Sequence, residues 1–447
     1  MGHIQFPKSF IWGTASSSYQ IEGSPLADGA SPSIWHAFSH KPGKTHNGDT
    51  GDIACDHYNR YPEDIGHMKE LGINAYRFSV NWPRVVPEPG KVNEQGLAFY
   101  NKLVDALLAN GINPYLTLFH WETPQWLEDK GGFVTREAVD HFLFYSETMF
   151  SALGDRVKKW ITVNEPMVYS FYGYGLGKMA PGYKFNLKRL FHATHHLLLA
   201  HAETCSLYKT FSSGTEEHIG IAENQIWIRP SRSDNGKDKE TAELMDSVLN
   251  RFYIDPVING TYPEIALSKV GKFMPAGFEQ DLSRMTAPFD FIGINYYTKQ
   301  DYRFAPLAPY FHQKEVPDSR GKRSAMWDIY PEGIYNLLKR VKEKYGNIPC
   351  YITENGYPLV EAGEPVIEDD DRIEYLSNHI KAAHQAMEEG VQLKGYFHWT
   401  LMDNFEWHLG NAMRFGLIRV DFFNQERRWK KSAHWYKKLV ETGKLET

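Results

Sequence analysis

Short apolar runs alternate with longer segments of helical period along the chain, and the alternation repeats eight times. The runs are FIWGTASSSYQ (10–20), INAYRFS (73–79), NPYLTLFHW (113–121), WITVNE (160–165), HIGIAEN (218–224), FDFIGINYY (289–297), CYITEN (350–355) and LKGYFHWTL (393–401). Runs that are apolar throughout fit strands covered on both faces, as in a parallel sheet. Between them, PEDIGHMKELG places Ile65, Met68 and Leu71 on one helix face and ends at Gly72. EQGLAFYNKLVDALLANG does the same with Leu97, Tyr100, Leu103, Leu107 and Leu108, ending at Gly111. Glycine is a common helix terminator because it accepts a left-handed backbone. HATHHLLLAHAETCSLY and YPEGIYNLLKRVKEKYG repeat the pattern. Eight strand–helix alternations without a linker predict one (β/α)8 barrel, a TIM barrel with elaborated loops, spanning residues 1–447 as a single domain.

In such a barrel the reactive groups stand at the C-terminal ends of the strands. Those positions hold Gln20, Arg77, His120, Asn164, Glu165, Asn224, Asn295, Tyr297, Glu354 and Trp399, most of them able to hydrogen-bond a polyhydroxylated ligand. The segment 298–332 reads as a long irregular loop, and its Tyr302, Phe304, Tyr310, Phe311 and Trp327 suggest a pocket rim.

Composition narrows the partners. Charged residues make up 23% and the net charge is −6, which argues against nucleic acid. Aromatic residues reach 14%, enough to fill a core and still offer rings for stacking on sugars. No apolar run approaches the roughly 18 residues that would cross a membrane, and the N-terminal MGHIQFPKSF lacks a secretory pattern. Cys55, Cys205 and Cys350 lie far apart and read as reduced structural thiols, so a cytoplasmic location is expected. The NGT at Asn259 is then a chance sequon. His192, His195, His196 and His201 read as histidines of a packed helix rather than metal ligands. EDDDR at 368–372 reads as a solvated acidic loop without calcium-site spacing. LKRVKEKYG (338–346) reads as an exposed helix face. No metal or cofactor is called for.

Two carboxylates end their strands in the same way: Glu165 in WITVNEPMVY and Glu354 in CYITENGY. A lone glutamate at a strand–helix junction is usually a solvated residue. Here Asn164 precedes Glu165, Pro166 stops the pairing, and a matching carboxylate ends another strand. Two carboxylates facing one cavity suit glycoside hydrolysis: the glycosidic oxygen needs a proton and the cationic anomeric carbon a nucleophile or base. Their separation decides retention (about 5–5.5 Å) or inversion (about 6.5–9.5 Å).

The motifs FIWGTASSSYQIEG, RFSVNWPR, TLFHW, TVNEP, INYYT, ITENG, DNFEW and RFGL occur in this order from end to end. With them the chain resembles glycoside hydrolase family 1, the retaining β-glucosidases and β-galactosidases. The resemblance implies that Glu165 is the acid/base and Glu354 the nucleophile. It implies that Gln20, His120 and Asn164 bond sugar hydroxyls, with Asn164 at the 2-OH and Trp121 among the contacts. By the same resemblance Glu406 would take two hydroxyls at the far end of the sugar, Trp399 would be the stacking floor with Trp407 and Phe415 as walls, and Arg77, Asn295 and Tyr297 would surround the nucleophile. Arg77 and a Tyr297 hydrogen bond should lower the pKa of Glu354 and keep it ionised, while Glu165 holds a proton near neutral pH. Glu122, Thr123, Met179 and Asn411 stand where the family usually has aspartate, leucine, histidine and tyrosine; these differences fall on the aglycone side and the rim.

The expected function is therefore a retaining, exo-acting β-glycosidase, foremost a β-glucosidase with β-galactosidase and β-fucosidase side activity. The expected partner is a small-molecule β-glycoside or oligosaccharide, with neither nucleic acid nor membrane. A transglycosidase would use the same residues. A 6-phospho-β-glycosidase is disfavoured because Glu406 would face the phosphate; at about 4 Å that costs on the order of 1–4 kcal/mol. An inactive sugar-binding relative should lack one of the two carboxylates.

Overall fold

The computed structural model describes residues 3–212, 214–361 and 365–446. Its centre is a closed barrel of eight parallel strands: β1 (Ile11–Ala15), β2 (Ala75–Ser79), β3 (Asn113–Phe119), β4 (Lys159–Asn164), β5 (His218–Asn224), β6 (Phe291–Asn295), β7 (Cys350–Asn355) and β8 (Leu393–Trp399). Each strand pairs with the next in sequence, and β8 closes onto β1 through Gly395–Trp399 opposite Ile11–Ala15. Seven of the eight strands fall within the expected runs, and β4 begins one residue before its own, at Lys159. The first run is split, however: the strand stops at Ala15, and Gln20 lies on a helical turn, Ser18–Ile21. Its serines explain the break, since Ser18 uses its N–H on Ser79 Oγ (2.8 Å) rather than on a sheet neighbour.

Side chains alternate along each strand, and both faces are buried. Inward-pointing Ala15, Ala75, Tyr115, Ile161, Ala222, Phe291, Tyr351 and Phe397 form one cluster. Outward-pointing Tyr76, Leu116, Trp160, Ile221, Ile292, Ile352 and Tyr396 form another, shared with the surrounding helices. The inner cluster is a plug of rings: Tyr115 and Phe397 lie 4.9 Å apart, Phe291 and Tyr351 5.1 Å. Gly13 makes room for it, because a Cβ there would lie 2.5 Å from the Phe397 ring. Truncating Phe397 to alanine would leave a void costing about 3–5 kcal/mol.

The helices follow the expected stripes. Ile65, Met68 and Leu71 are buried in His57–Leu71, which ends on left-handed Gly72 (φ 77°). Leu97, Tyr100, Leu103 and Leu107 are buried in Glu94–Ala109, but Leu108, in its last turn, is 37% exposed. The four histidines sit on Leu187–Phe211 with protein partners. His195 bonds Tyr262 and Asp281, His196 the Phe133 carbonyl and His201 Thr162, while His192 meets the backbone of Val134. The three cysteines are buried and free. No described helix is long and apolar enough to cross a membrane.

Two expectations need correction. EDDDR is a solvated loop only in part: Glu368, Asp370 and Asp371 are exposed, but Asp369 and Arg372 are buried and paired at 2.5 Å, and Asp370 starts a helix running to Glu388. Arg372 also binds the carbonyls of Arg414 (2.8 Å) and Gly416 (2.7 Å), which explains its burial. The segment 298–332 is not wholly irregular. Lys299–Phe304 pairs antiparallel with Gln313–Glu315 and parallel with Trp227–Pro230. Inside this small sheet Lys299 is held by Asp301 (2.7 Å), Asp318 (3.2 Å) and Asp328 (3.3 Å).

Candidate active site

A cavity of about 420 Å³ opens at the C-terminal end of the barrel. Glu165, from the end of β4, and Glu354, from β7, both line it. The backbone of Glu165 is left-handed (φ 46°) and Pro166 opens the next helix, Pro166–Ser170. A non-glycine residue held there is strained by roughly 1–3 kcal/mol and needs support from its surroundings. That support is an N–H bond from Glu165 to the Ala222 carbonyl of β5 (2.8 Å), and the result aims the side chain into the barrel mouth.

Glu354 is gripped by donors. Arg77 Nη1, from β2, donates to its Oε1 at 2.6 Å and to the Thr353 carbonyl at 3.0 Å. The Tyr297 hydroxyl donates to Oε2 at 2.7 Å. Glu165 receives one bond, from Asn295 Nδ2 at 2.9 Å. The Asn295 amide also faces Glu354 and favours its charge, so one amide lies against both carboxylates. Burial raises both acids, Glu165 well above the carboxylate range, with the Glu354 charge as its second cause. For Glu354 this corrects the expected net lowering: Arg77 and Tyr297 do pull it down, but desolvation outweighs them. Between the two, the negative charge belongs on Glu354, with its cation and two donors, and the shared proton on Glu165.

The other end of the cavity carries Glu406, pushed up to about 8 by burial and then by the charge of Glu354. Gln20 Nε2 bonds it at 3.3 Å and is anchored by the Phe405 carbonyl (3.0 Å) and, through its own oxygen, by Ser17 (2.7 Å). Trp399 and Trp407 line the cavity with His120 stacked near both, at 5.8 and 5.9 Å. His120 is held far below its usual pKa by burial and then by Arg77, so its ring is neutral. Trp121, also left-handed (φ 72°), packs 4.7 Å from Trp407 and donates to the Asn164 carbonyl (2.9 Å). Phe415 and Tyr297 complete the wall with Trp327.

Every expected site residue therefore belongs to one connected group, in two tiers. His120, Trp121, Glu165, Tyr297, Glu354, Trp399, Glu406, Trp407 and Phe415 line the cavity. Gln20, Arg77, Asn164 and Asn295 are buried behind them, and all four amides or guanidinium groups are bonded to lining residues or to each other. Asn164 accepts from Arg77 (2.5 Å) and Asn295 (3.0 Å) and bonds His120 (3.1 Å), which explains its position one layer back. Of the five suggested rim aromatics only Trp327 lines the cavity; Tyr302 is buried and Tyr310 is exposed. Met179 lines it, while Glu122 is buried against Ser18 and Thr123 against Tyr169. Tyr172, Gln225, Ile226 and Met326 also line the cavity and were not expected. Met326 precedes Trp327 and Gln225 follows Asn224 in sequence, signals available beforehand; Tyr172 carries no comparable pattern.

A parallel barrel whose mouth sets two buried carboxylates among tryptophans and hydroxyl-binding groups defines a glycoside hydrolase. The chain belongs to glycosyl hydrolase family 1, whose model matches residues 2–445. It is 45% identical to Beta-glucosidase A of Thermotoga maritima, covering 99% of each chain, and 44% identical to the 1,4-beta-D-glucan glucohydrolase of Thermotoga neapolitana, again over 99% of each. Its structure superposes with a TM-score of 0.96, over all of both chains at 44% identity, on a Thermotoga maritima family 1 glycoside hydrolase complexed with a cyclophellitol analogue transition state mimic.

Proposed function

We propose that the protein is a retaining exo-β-glucosidase, working as one barrel domain, that removes non-reducing terminal β-D-glycosyl residues by double displacement. The observation that carries this reading is the asymmetry of the two facing acids: Glu354 bound by Arg77 and Tyr297, Glu165 bound only by a neutral amide. In the first step the Glu354 carboxylate attacks the anomeric carbon as the aglycone oxygen leaves with the proton of Glu165. An α-linked glycosyl ester forms on Glu354, and Glu165 becomes an anion. In the second step Glu165 takes a proton from water, whose oxygen attacks the anomeric carbon and releases Glu354. Two inversions return the β-configuration.

Glu406 and His120 would bind hydroxyls of the terminal sugar, with Gln20 orienting Glu406 and reaching a neighbouring hydroxyl. Trp399 would stack on the sugar face, with Trp121, Trp407 and Phe415 as walls. Asn164 would meet the 2-OH from behind Arg77, and Asn295 would tie the two acids together. Acceptors at Glu406 tolerate an equatorial or axial 4-OH, so β-galactosides and β-fucosides should be secondary substrates. The names of the relatives, Beta-glucosidase A and 1,4-beta-D-glucan glucohydrolase, support glucose as the first choice. Buried free thiols are in keeping with a cytoplasmic site of action. A sugar hydroxyl replacing water in the second step would give transglycosylation with the same residues.

The test is a panel of aryl β-glycosides with the products followed by proton NMR. β-Glucoside should be turned over best, and β-glucose should appear before its α-anomer. An α-anomer first would rule out double displacement, and no turnover of any glucoside would rule out the substrate.

A further inference from the structure

Outside the cavity, His36, His40 and Asp52 bring three metal-ligand atoms within 4.8 Å of one another. His36 Nδ1 stands 3.5 Å from Asp52 Oδ1, and His40 Nε2 stands 3.0 Å from Asp52 Oδ2. His36 and His40 are one turn apart at the end of the short helix Ile34–Ser39, with ring centroids 4.3 Å apart. Two features distinguish the cluster from an ordinary surface contact. His36 Nδ1 and Asp52 Oδ1 are both sequestered from solvent and have no well-formed hydrogen bond, only their 3.5 Å contact with each other. Such poorly paired buried polar atoms call for an unseen partner. In addition, His40 Nδ1 bonds the His36 carbonyl at 2.7 Å. That bond makes Nδ1 a donor and aims Nε2 at Asp52, where its N–H donates to Oδ2 at 3.0 Å; a cation would take the place of that proton on Nε2, and the Nδ1–carbonyl bond would keep the ring oriented, as the second bond of metal-binding histidines does.

We propose that His36, His40 and Asp52 form a binding site for one divalent cation of the zinc class. Zinc holds nitrogen and oxygen ligands at about 2.0–2.2 Å in a tetrahedron, which places ligand atoms roughly 3.3–3.5 Å apart. The measured separations, 3.5 and 3.0 Å to the two different oxygens of Asp52, are close to that value, and a small turn of the carboxylate and of the His40 ring would bring one oxygen and both nitrogens onto a single ion. Two imidazoles and one carboxylate favour zinc, copper or nickel over magnesium or calcium, which prefer oxygen. Water would take the fourth position, and the half-exposed His40 and Asp52 side chains leave an entry path.

The cation would clamp two segments that flank the cavity wall. Trp35, on the histidine helix, packs 4.4 Å from Trp407. Asp49, on the loop leading to Asp52, accepts the Asn411 N–H at 2.8 Å. The ion would thus lock the segment 407–411 from both sides and stabilise the fold through binding to the native state alone.

The experiment is calorimetric titration of chelator-stripped protein with zinc chloride, repeated on His36→Gln, His40→Gln and Asp52→Asn. His46→Gln, six residues beyond His40 and exposed, is the control. One zinc per chain is expected, with affinity at least tenfold weaker in each of the three variants and unchanged in the control. Circular dichroism establishes that the variants are folded. Cobalt should give visible absorption bands in the parent protein and none in His40→Gln, and zinc should raise Tm only in the parent and the control. If stripped protein takes up no zinc at millimolar concentration, or binds it equally in all four variants, the cluster is a protonated His40–Asp52 ion pair and the proposal fails.

Discussion

The ends of β4 and β7 present the same residue type at the same barrel mouth, yet their surroundings differ in charge. Both side chains are almost wholly buried, Glu165 at 5% and Glu354 at 3% exposure, so burial raises both and does not separate them. The donors separate them. Glu354 meets a guanidinium, a phenol and an amide; Glu165 meets the amide alone. A buried anion persists only where charge and hydrogen bonds replace the lost water. The end of β7 is therefore built for an anion and the end of β4 for a neutral acid. Two carboxylates become nucleophile and proton donor through their neighbours, not through their own chemistry.

Removing either acid breaks the comparison most severely. Glu354→Ala should abolish hydrolysis of every glycoside, by more than about 10⁴-fold in kcat/KM, whatever the leaving group. Glu165→Ala should cost about 10²–10⁴-fold on substrates with poor leaving groups and little in the first step with a dinitrophenyl glucoside, since that group needs no proton. Equal losses on both substrate types would contradict the assignment of Glu165. Measured above pH 8, where Glu406 is ionised, Glu406→Gln should follow, losing charge-assisted bonds to sugar hydroxyls of about 1.5–3 kcal/mol each, roughly 10–150-fold in kcat/KM per bond. Full activity in this variant would place Glu406 outside the sugar's reach.

The smallest effect sharpens the comparison instead of breaking it. Tyr297→Phe removes one donor from Glu354 and leaves Arg77 in place, so kcat/KM should fall about tenfold. The lost bond favoured the ionised form, so the pKa of Glu354 must rise and the acid limb of the pH–rate profile must move to higher pH. The alkaline limb, set by the proton on Glu165, should shift less. An acid limb moving down would show that Tyr297 does not support the anion.

Much of this arrangement is legible in the sequence because apolar strands and polar strand ends are governed by short-range patterns. WITVNEP and CYITEN read as buried strands with a carboxylate at the end, and the structure puts Glu165 directly after β4 and Glu354 next to last in β7. What stays hidden depends on distant partners. KQDYRF at Lys299–Phe304 is too polar to read as a strand, and it pairs because Asp301, Asp318 and Asp328 converge on Lys299. EDDDR reads as solvated because nothing local reveals that Arg372 reaches the carbonyls of Arg414 and Gly416. The second tier of the site has the same origin: Asn164 ends its strand as expected and Gln20 lies on the helical turn that replaces the end of its run, but the burial of their amides follows from Arg77, Asn295 and Glu406, each far away in sequence.

The division of roles between the two acids is tested most directly by azide rescue of both alanine variants on an activated glucoside, read from the anomeric coupling constant of each glycosyl azide. In Glu354→Ala azide occupies the vacated side and displaces the leaving group once, so the product should be the α-azide. In Glu165→Ala the glycosyl ester still forms on Glu354 and azide then displaces it, so the product should be the β-azide. The same anomer from both variants would contradict the account.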